Sequence, residues 1–149
     1  LETLSPPERR RYVQMLDRSL VSGGRVAVAS LFATDALTPA ARSAIQVLRA
    51  YIWPGLDYPT IEETHRLFDR RSNLRIIAQT HTGSHYLETL RYQRSFFDGR
   101  RREAAAAGFD QVFRRLWTFQ FALREALFTL GMLDAVHVVA THRNRGGRR

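Results

Sequence analysis

Three short apolar runs, rich in Val and Ile, constrain the fold of this sequence more than any other feature. They are RVAVASLF at 25–32, LRIIAQTH at 74–81 and LDAVHVVATH at 133–142. Their length and composition are typical of buried β-strands, and helical patterns lie before and between them. Strands that alternate with helices predict an α/β fold, in which such strands are usually parallel and covered by helices on both faces.

The helical patterns have recognisable beginnings. Pro6 follows Ser5, Pro39 follows Thr38, and Thr60 precedes a run with apolar residues at helical spacing. Ser84 is the expected N-cap of a fourth helix. The last two helical runs are longer than a simple crossover requires, so they are expected to form a lid or a layer of their own. The predicted helices are 6–21, 39–51, 61–71, 85–106 and 110–130, the last two separated at Gly108.

The composition limits the possible functions. The chain has 149 residues, a formal charge of +9 and no Cys, which excludes disulfides and thiol chemistry. All basic residues are Arg, and they concentrate at 8–12, at 98–103 and in the tail. Such a charge favours phosphate-bearing partners, either nucleic acid or anionic lipid headgroups. No apolar run approaches the length of a membrane span. Together with the absence of Cys, this makes a cytoplasmic location the expectation.

The five His residues predict no metal site: none belongs to an HExxH motif, and although His81 and His85 are four residues apart, only part of that stretch is expected to be helical. His85 and Tyr86 raise a different question, since they stand between a strand and a helix. In one interpretation, Ser84 only caps that helix while Tyr86 packs in the core. The alternative is that Tyr86 directs its phenol into a functional site.

Several segments together resemble a known family. The chain contains YVQMLDRSLVSGGRVAV, then YIWPGLDYPTIEE, then HYLETLRYQRSFF, then GFDQVFRRLWTFQFALREALFTLGMLDAVHV. In this order they look like the C-terminal half of cyclopropane-fatty-acyl-phospholipid synthases and the related mycolic acid methyltransferases. The resemblance runs from Glu2 to about Thr141. It implies the C-terminal portion of a class I methyltransferase (Rossmann-like) sheet with inserted long helices.

The resemblance also implies a reaction. The family transfers the methyl group of S-adenosylmethionine to the double bond of an unsaturated phospholipid acyl chain, and loss of a proton then gives a cyclopropane. A bound bicarbonate is taken to be the base. An enzyme of this kind is expected at the inner face of the membrane, where its Arg clusters contact the anionic surface and no nucleic acid partner is needed. A homodimer is left open.

Site residues follow from the family motifs. Glu2, ten residues before Tyr12, matches the Glu that holds the bicarbonate, and Tyr86 matches the Tyr of the HY..TL motif. Leu31 is expected to contribute its backbone to the bicarbonate site. Ala29 stands where the family has His or Gln. This departure puts cyclopropane closure in doubt and leaves methyl branching, or loss of activity, open.

The acyl tunnel has three candidates on the last helical run. Trp117 and Phe121 belong to a stretch that is apolar nearly all round, which is typical of a buried helix. The resemblance places that helix near the acyl tunnel. Glu125 matches the family motif EA.F. The alternatives for Glu125 are an ion pair with Arg115 or Arg124, or exposure to solvent.

A Gly-rich turn after a first strand and an acidic residue after a second strand hold the cofactor in class I methyltransferases. This sequence has neither, so no cofactor-binding residue is assigned, and the chain is interpreted as a piece of a longer enzyme, inactive alone. Residues 1–141 are assigned to the methyltransferase domain and 142–149 to a basic disordered tail. Two alternatives remain: a non-catalytic remnant of the family, or a basic nucleic-acid-binding module.

Overall fold

The computed structural model describes residues 1–143, so positions 144–149 of the tail predicted at 142–149 lie outside the described residues. The elements occur in the order predicted from the sequence. Strands are β1 (Arg25–Ala33), β2 (Leu74–His81) and β3 (Leu133–His142); helices are α1 (Pro6–Ser19), α2 (Pro39–Tyr51), α3 (Ile61–Arg71), α4 (Gly83–Gly99), α5 (Arg101–Ala106) and α6 (Gln111–Thr129).

The sheet has the order β1-β3-β2, and β3 runs antiparallel to both neighbours. The expectation of parallel neighbours is therefore wrong for the described strands. A tight turn at Gly131, where φ is +65°, brings the chain from α6 directly into β3. Since β3 enters between β1 and β2 from this end, it pairs with both in the opposite direction. Among the described strands, β1 and β2 run parallel to each other, but they are not adjacent.

Helices cover the two faces of the sheet unequally. On one face, Val13 of α1 and Phe68 of α3 pack against Ala140. On the other face, Leu90 of α4 and Phe128 of α6 pack around the end of β1 and the start of β3. Ala27, Ala29 and His137 of this second face are exposed, so the expected cover on both faces is only partly present among the described residues. Those residues also contain no helix long and apolar enough to cross a bilayer.

Helix boundaries follow the local signals, with two differences. Thr38, Thr60 and Asp110 cap their helices with side-chain oxygens. Ser84, in contrast, is not an N-cap, because α4 already begins at Gly83 directly after Thr82. The predicted run 85–106 is divided at Arg100 into α4 and α5.

The domain boundary predicted at 141 lies inside an element. His142 is the last residue of β3 and is buried, and its backbone N–H donates to Gly24. Arg143 forms an ion pair of 2.7 Å with Asp69. Both residues therefore belong to the folded part.

Candidate active site

The candidate site lies at the C-terminal end of β1, where the N-terminal segment and the loop before α3 meet. The backbone N–H of Ala33 donates to Pro59 at 3.0 Å, so this loop lies beside the end of β1. Asp57 donates its N–H to the carbonyl oxygen of Glu2 at 2.8 Å. The buried Arg9 holds the loop from the other side through a 2.7 Å ion pair with Asp57. The loop thus fixes the position of Glu2.

Glu2 carries the first functional group. Its Oε2 accepts a hydrogen bond of 2.5 Å from the Ser30 hydroxyl and one of 3.4 Å from the backbone N–H of Leu31. Burial alone would raise the pKa of Glu2, but the hydrogen bonds from Ser30 and from its own backbone, together with the N-terminal ammonium of Leu1 at 3.0 Å, outweigh burial, so the pKa lies below the ordinary 4.5. The group is a carboxylate at neutral pH.

Tyr58 is a second functional group, and the sequence did not point to it. Its ring is buried in the core that surrounds the end of β1. Burial raises the pKa of its phenol to about 12, against the opposing effect of Arg124, while Glu2 and Tyr86 raise it further. Arg124, Glu2 and Tyr86 each affect this pKa, so Tyr58 lies near all three side chains. We refer to Glu2, Tyr58, Tyr86 and Arg124 as the polar cluster.

Tyr86 lies in the first turn of α4, as the alternative interpretation of the HYLETL motif requires. Its ring packs against Phe128 of α6 with 5.0 Å between centroids. Its hydroxyl accepts a hydrogen bond from Nη2 of Arg124. Packing and polar contact therefore coexist at this residue: the ring belongs to the core and the hydroxyl to the polar cluster.

Arg124 is the cation of the cluster, and it was missed as a site residue. It lies on α6, and its guanidinium stands 5.6 Å from the ring centres of both Trp53 and Tyr86. Its Nη1 donates a long hydrogen bond of 3.4 Å to Oε1 of Gln120. Its Nε is buried and has no hydrogen-bond partner among the described residues.

The two positions assigned on β1 lie on the same face of the strand, two residues apart. Leu31 is buried, and its N–H is directed to Glu2. Ala29 is exposed and stands opposite His137 of β3. The methyl group of Ala29 supplies no polar contact, so no side chain of β1 reaches toward the polar cluster from this position.

An aromatic groove adjoins the cluster. Its volume is about 640 Å³, and it lies between α4–α5 and the first half of α6. Two of the three predicted tunnel residues, Trp117 and Phe121, line it. Trp117 also contacts Trp53 at 6.3 Å between ring centroids, and Trp53 faces Arg124. The apolar groove and the polar cluster are therefore connected through Trp53.

Glu125, the third tunnel candidate, lies elsewhere. It faces a small surface cleft with Arg91, Arg94 and Asp98, and its Oε2 pairs with Arg94 at 3.3 Å. Arg124, one of the two arginines considered as partners of Glu125, donates instead to Tyr86. The structure thus brings Glu2, Leu31 and Tyr86 to one place and Trp117 and Phe121 beside it, but it separates Glu125 from both.

The described residues contain no group of three or more His, Asp or Glu side chains that could hold a metal ion. Nδ1 of His81 lies 2.5 Å from Oδ2 of Asp134, and Nε2 of His142 lies 3.3 Å from Oδ1 of Asp17.

Comparison with known proteins identifies the family. The family model described as mycolic acid cyclopropane synthetase matches residues 1–138. The chain belongs to this family. Tuberculostearic acid methyltransferase UfaA1 from Mycobacterium tuberculosis is 34% identical over 124 residues, which make up 83% of this chain and 29% of UfaA1.

Solved structures of this family show the same fold. The cyclopropane synthase MmaA2 from Mycobacterium tuberculosis superimposes with a TM-score of 0.85 at 17% identity, covering 94% of this chain and 52% of MmaA2. The mycolic acid cyclopropane synthase CmaA1, solved with SAH and CTAB, gives a TM-score of 0.81 at 14% identity with the same coverage. The chain therefore spans about half the length of these synthases and less than a third of UfaA1.

Proposed function

We propose that this chain forms the acyl-binding and proton-accepting part of a lipid methyltransferase. The reaction is transfer of the methyl group of S-adenosylmethionine to the double bond of an unsaturated phospholipid acyl chain. The observation that carries this proposal is the contact between the aromatic groove and the polar cluster. Trp117 lines the groove and touches Trp53, which faces Arg124. An acyl chain in the groove would thus lead toward the polar groups.

The groove suits the chemistry that such a reaction needs. Its lining is largely aromatic, which keeps water away from a double bond and from a positive charge that develops on it. Aromatic faces also stabilise a cation. We assign these roles to Trp117 and Phe121, the two groove residues that the family resemblance also places near the acyl tunnel. Glu125 receives no role in acyl binding, because it pairs with Arg94 outside the groove.

The polar cluster fits the bicarbonate that the family uses as a base. The carboxylate of Glu2 can accept a hydrogen bond from its hydroxyl group, and the hydroxyl of Tyr86 can donate one. The buried Nε of Arg124, which has no hydrogen-bond partner within residues 1–143, offers a further donor. Leu31 acts indirectly, because its N–H holds Glu2 in place. Bound bicarbonate would supply the base, and these residues would orient it.

S-adenosylmethionine would supply the methyl group. Neither the Gly-rich turn nor the acidic residue of its usual site is present in the described residues, so no contact with it is assigned to them. We propose that residues 1–149 alone do not bind it. Isothermal titration calorimetry of this chain with S-adenosylmethionine tests the statement, and tight binding would contradict it.

The product is a methyl-branched or cyclopropane acyl chain. Ala29 removes one ligand that ring closure uses in the family, and the relative UfaA1 is named as a methyltransferase. Both facts support methyl branching. Ala29 also supports the second candidate function, a non-catalytic member of the family.

The decisive experiment begins with the genomic DNA upstream of the Leu1 codon, which defines the complete gene product. That protein is incubated with methyl-labelled S-adenosylmethionine and vesicles that contain monounsaturated phospholipids. We expect label in the acyl chains, and mass spectrometry distinguishes ring from branch. Tyr86→Phe should reduce incorporation, whereas Tyr51→Phe on the exposed surface of α2 should not. Absence of label from the acyl chains would favour the non-catalytic alternative.

We also propose that the enzyme works at an anionic membrane surface from the cytoplasmic side. Arg100 lines the groove, and the exposed Arg101 and Arg102 follow it directly in the chain, which supports this view. Vesicle flotation with anionic lipid should retain the protein, and a salt-dependent shift of an oligonucleotide should be absent. The reverse result would favour the nucleic-acid-binding alternative.

A further inference from the structure

A second cavity, of about 540 Å³, lies between α1 and α3, and we refer to it as the basic cavity. These two helices pack on the face of the sheet opposite to α4 and α6, which form the aromatic groove. Six arginines and two carboxylates line the basic cavity, a formal surplus of four positive charges. The charged lining residues are Arg9, Arg10, Arg42, Arg66, Arg70, Arg71, Asp57 and Glu63.

The two carboxylates of the basic cavity are engaged elsewhere. Oδ2 of Asp57 accepts a hydrogen bond of 2.7 Å from Nη2 of the buried Arg9. Oε2 of Glu63 accepts one of 2.8 Å from the backbone N–H of Thr60, as part of the capping box of α3. Within residues 1–143, neither carboxylate lies within 4.0 Å of the nitrogens of any other arginine of the cavity.

Four of the arginines have no partner within residues 1–143. Arg10 of α1, Arg42 of α2, and Arg70 and Arg71 of α3 form no side-chain hydrogen bond or ion pair there. Their side chains are exposed, and none of them belongs to the polar cluster. Three helices thus direct unpaired guanidinium groups to one concave site. An anion placed between like charges replaces their mutual repulsion with attraction.

We infer that the basic cavity binds a phosphate ester that carries two phosphate groups. Guanidinium groups bind phosphate oxygens through two parallel N–H donors, which makes arginine well suited to this ligand. Two phosphate groups carry about three to four negative charges near neutral pH, which matches the surplus of the lining. The volume also lies within the range of about 300–1,000 Å³ that is typical of small-molecule sites.

The remaining lining residues favour an ester over inorganic diphosphate. Pro6, Ala33 and Leu67 supply apolar surface in the same cavity, against which an organic group can pack. A single-stranded nucleic acid would instead need a groove that follows successive phosphates, with aromatic rings on which its bases stack. The basic cavity is therefore suited to one compact ligand. This inference goes beyond the proposed function and uses no residue of the aromatic groove.

The test measures binding without the methyl-transfer assay. Inorganic pyrophosphate is titrated calorimetrically into the complete gene product, and orthophosphate, with one phosphate group, should bind more weakly. The double variant Arg70→Gln/Arg71→Gln should weaken pyrophosphate binding by about tenfold or more, because two charge-assisted contacts are lost. The matched control is Arg75→Gln/Arg102→Gln, which removes the same charge from exposed positions outside the cavity and should leave the affinity unchanged.

Two further arms identify the source of the phosphate groups. Displacement of pyrophosphate by ADP would assign the cavity to a soluble ester. Flotation with vesicles that contain phosphatidylinositol bisphosphate, reversed by pyrophosphate and lost in Arg70→Gln/Arg71→Gln, would assign it to a lipid headgroup.

Three results would overturn the inference. They are absence of pyrophosphate binding to the wild-type protein, an equal loss of affinity in the two double variants, and binding of pyrophosphate that neither ADP nor the vesicles displace. If Arg70→Gln/Arg71→Gln does not fold by circular dichroism, Arg70→Lys/Arg71→Lys replaces it. That variant keeps the charge but loses the two-point contacts, so it should bind more weakly, and wild-type affinity would count against the site. Pyrophosphate binding without methyl transfer would refute the proposed function and leave this inference intact.

Discussion

The backbone oxygen of Thr3 lies 2.7 Å from the position that a Cβ atom on Gly55 would occupy. The loop before α3 and the segment that carries Glu2 are therefore packed without space for one methyl group. Because the opposing atom belongs to the backbone, it cannot turn aside as a flexible side chain could. This contact links the geometry of the loop to the position of the Glu2 carboxylate.

Gly55→Ala should consequently displace the N-terminal segment and lower the free energy of unfolding by about 1–3 kcal/mol, the usual cost of overpacking. Urea denaturation measures this value. Gly99→Ala is the matched control, because nothing lies within 4 Å of its added Cβ. That variant should be neutral or more stable by about 0.4–1 kcal/mol, through the unfolded state. Equal destabilisation by both variants would show that the Thr3 contact is unimportant.

Glu2 should make stability depend on pH on the acid side. Its folded pKa lies below the unfolded value of 4.5, so its contribution is complete above that pH and disappears as the pH falls through the folded pKa. Glu2→Gln should therefore lose less stability than wild type on acidification, as seen by urea denaturation at a series of pH values. The control is Glu62→Gln on the exposed surface of α3, whose curve should follow that of wild type. Parallel curves for Glu2→Gln and wild type would contradict the prediction.

Tyr58 should make the free energy of unfolding depend on pH in the alkaline range. Burial raises its folded pKa to about 12, compared with 10.0 in the unfolded chain. The folded state therefore holds this proton more tightly, and stability is lost as the pH rises from 10 toward 12. A pKa difference of two units corresponds to about 3 kcal/mol in the free energy of unfolding. Tyr58→Phe should show a flatter alkaline limb in chemical denaturation, whereas Tyr51→Phe, 74% exposed, should not.

The extent to which sequence predicted the fold depends on whether a signal is local. Thr38, Thr60 and Asp110 act on backbone groups within their own first turns, and the helices begin where these residues predict. The direction of strand pairing is not local. Whether β3 runs parallel or antiparallel depends on how Gly131 turns the chain after α6, and an apolar run has the same composition in both cases.

The same distinction applies to the site. Family motifs supplied Glu2 and Tyr86, and the structure places both in one cluster. Arg124 and Tyr58 could not be recognised, because each acts through partners distant in sequence. Arg124 is 38 residues from Tyr86 and stands in a run that predicts only a buried helix. A charged residue inside such a run was a signal, but the sequence did not indicate which group it contacts.

A last prediction concerns acyl binding in the groove and compares two residues expected in the acyl tunnel, Trp117 and Glu125. Trp117 lines the groove, so Trp117→Ala should weaken binding of a monounsaturated fatty acid several-fold, since the aromatic surface that covers the chain is lost. Glu125→Gln changes only a residue that pairs with Arg94 in a separate cleft, and binding should stay within about twofold of wild type. Titration calorimetry with one fatty acid and all three proteins provides the comparison. If Glu125→Gln weakened binding as much as Trp117→Ala, the acyl chain would have to pass along the Arg94 side of α6, and the groove between α4–α5 and α6 would lose its assignment.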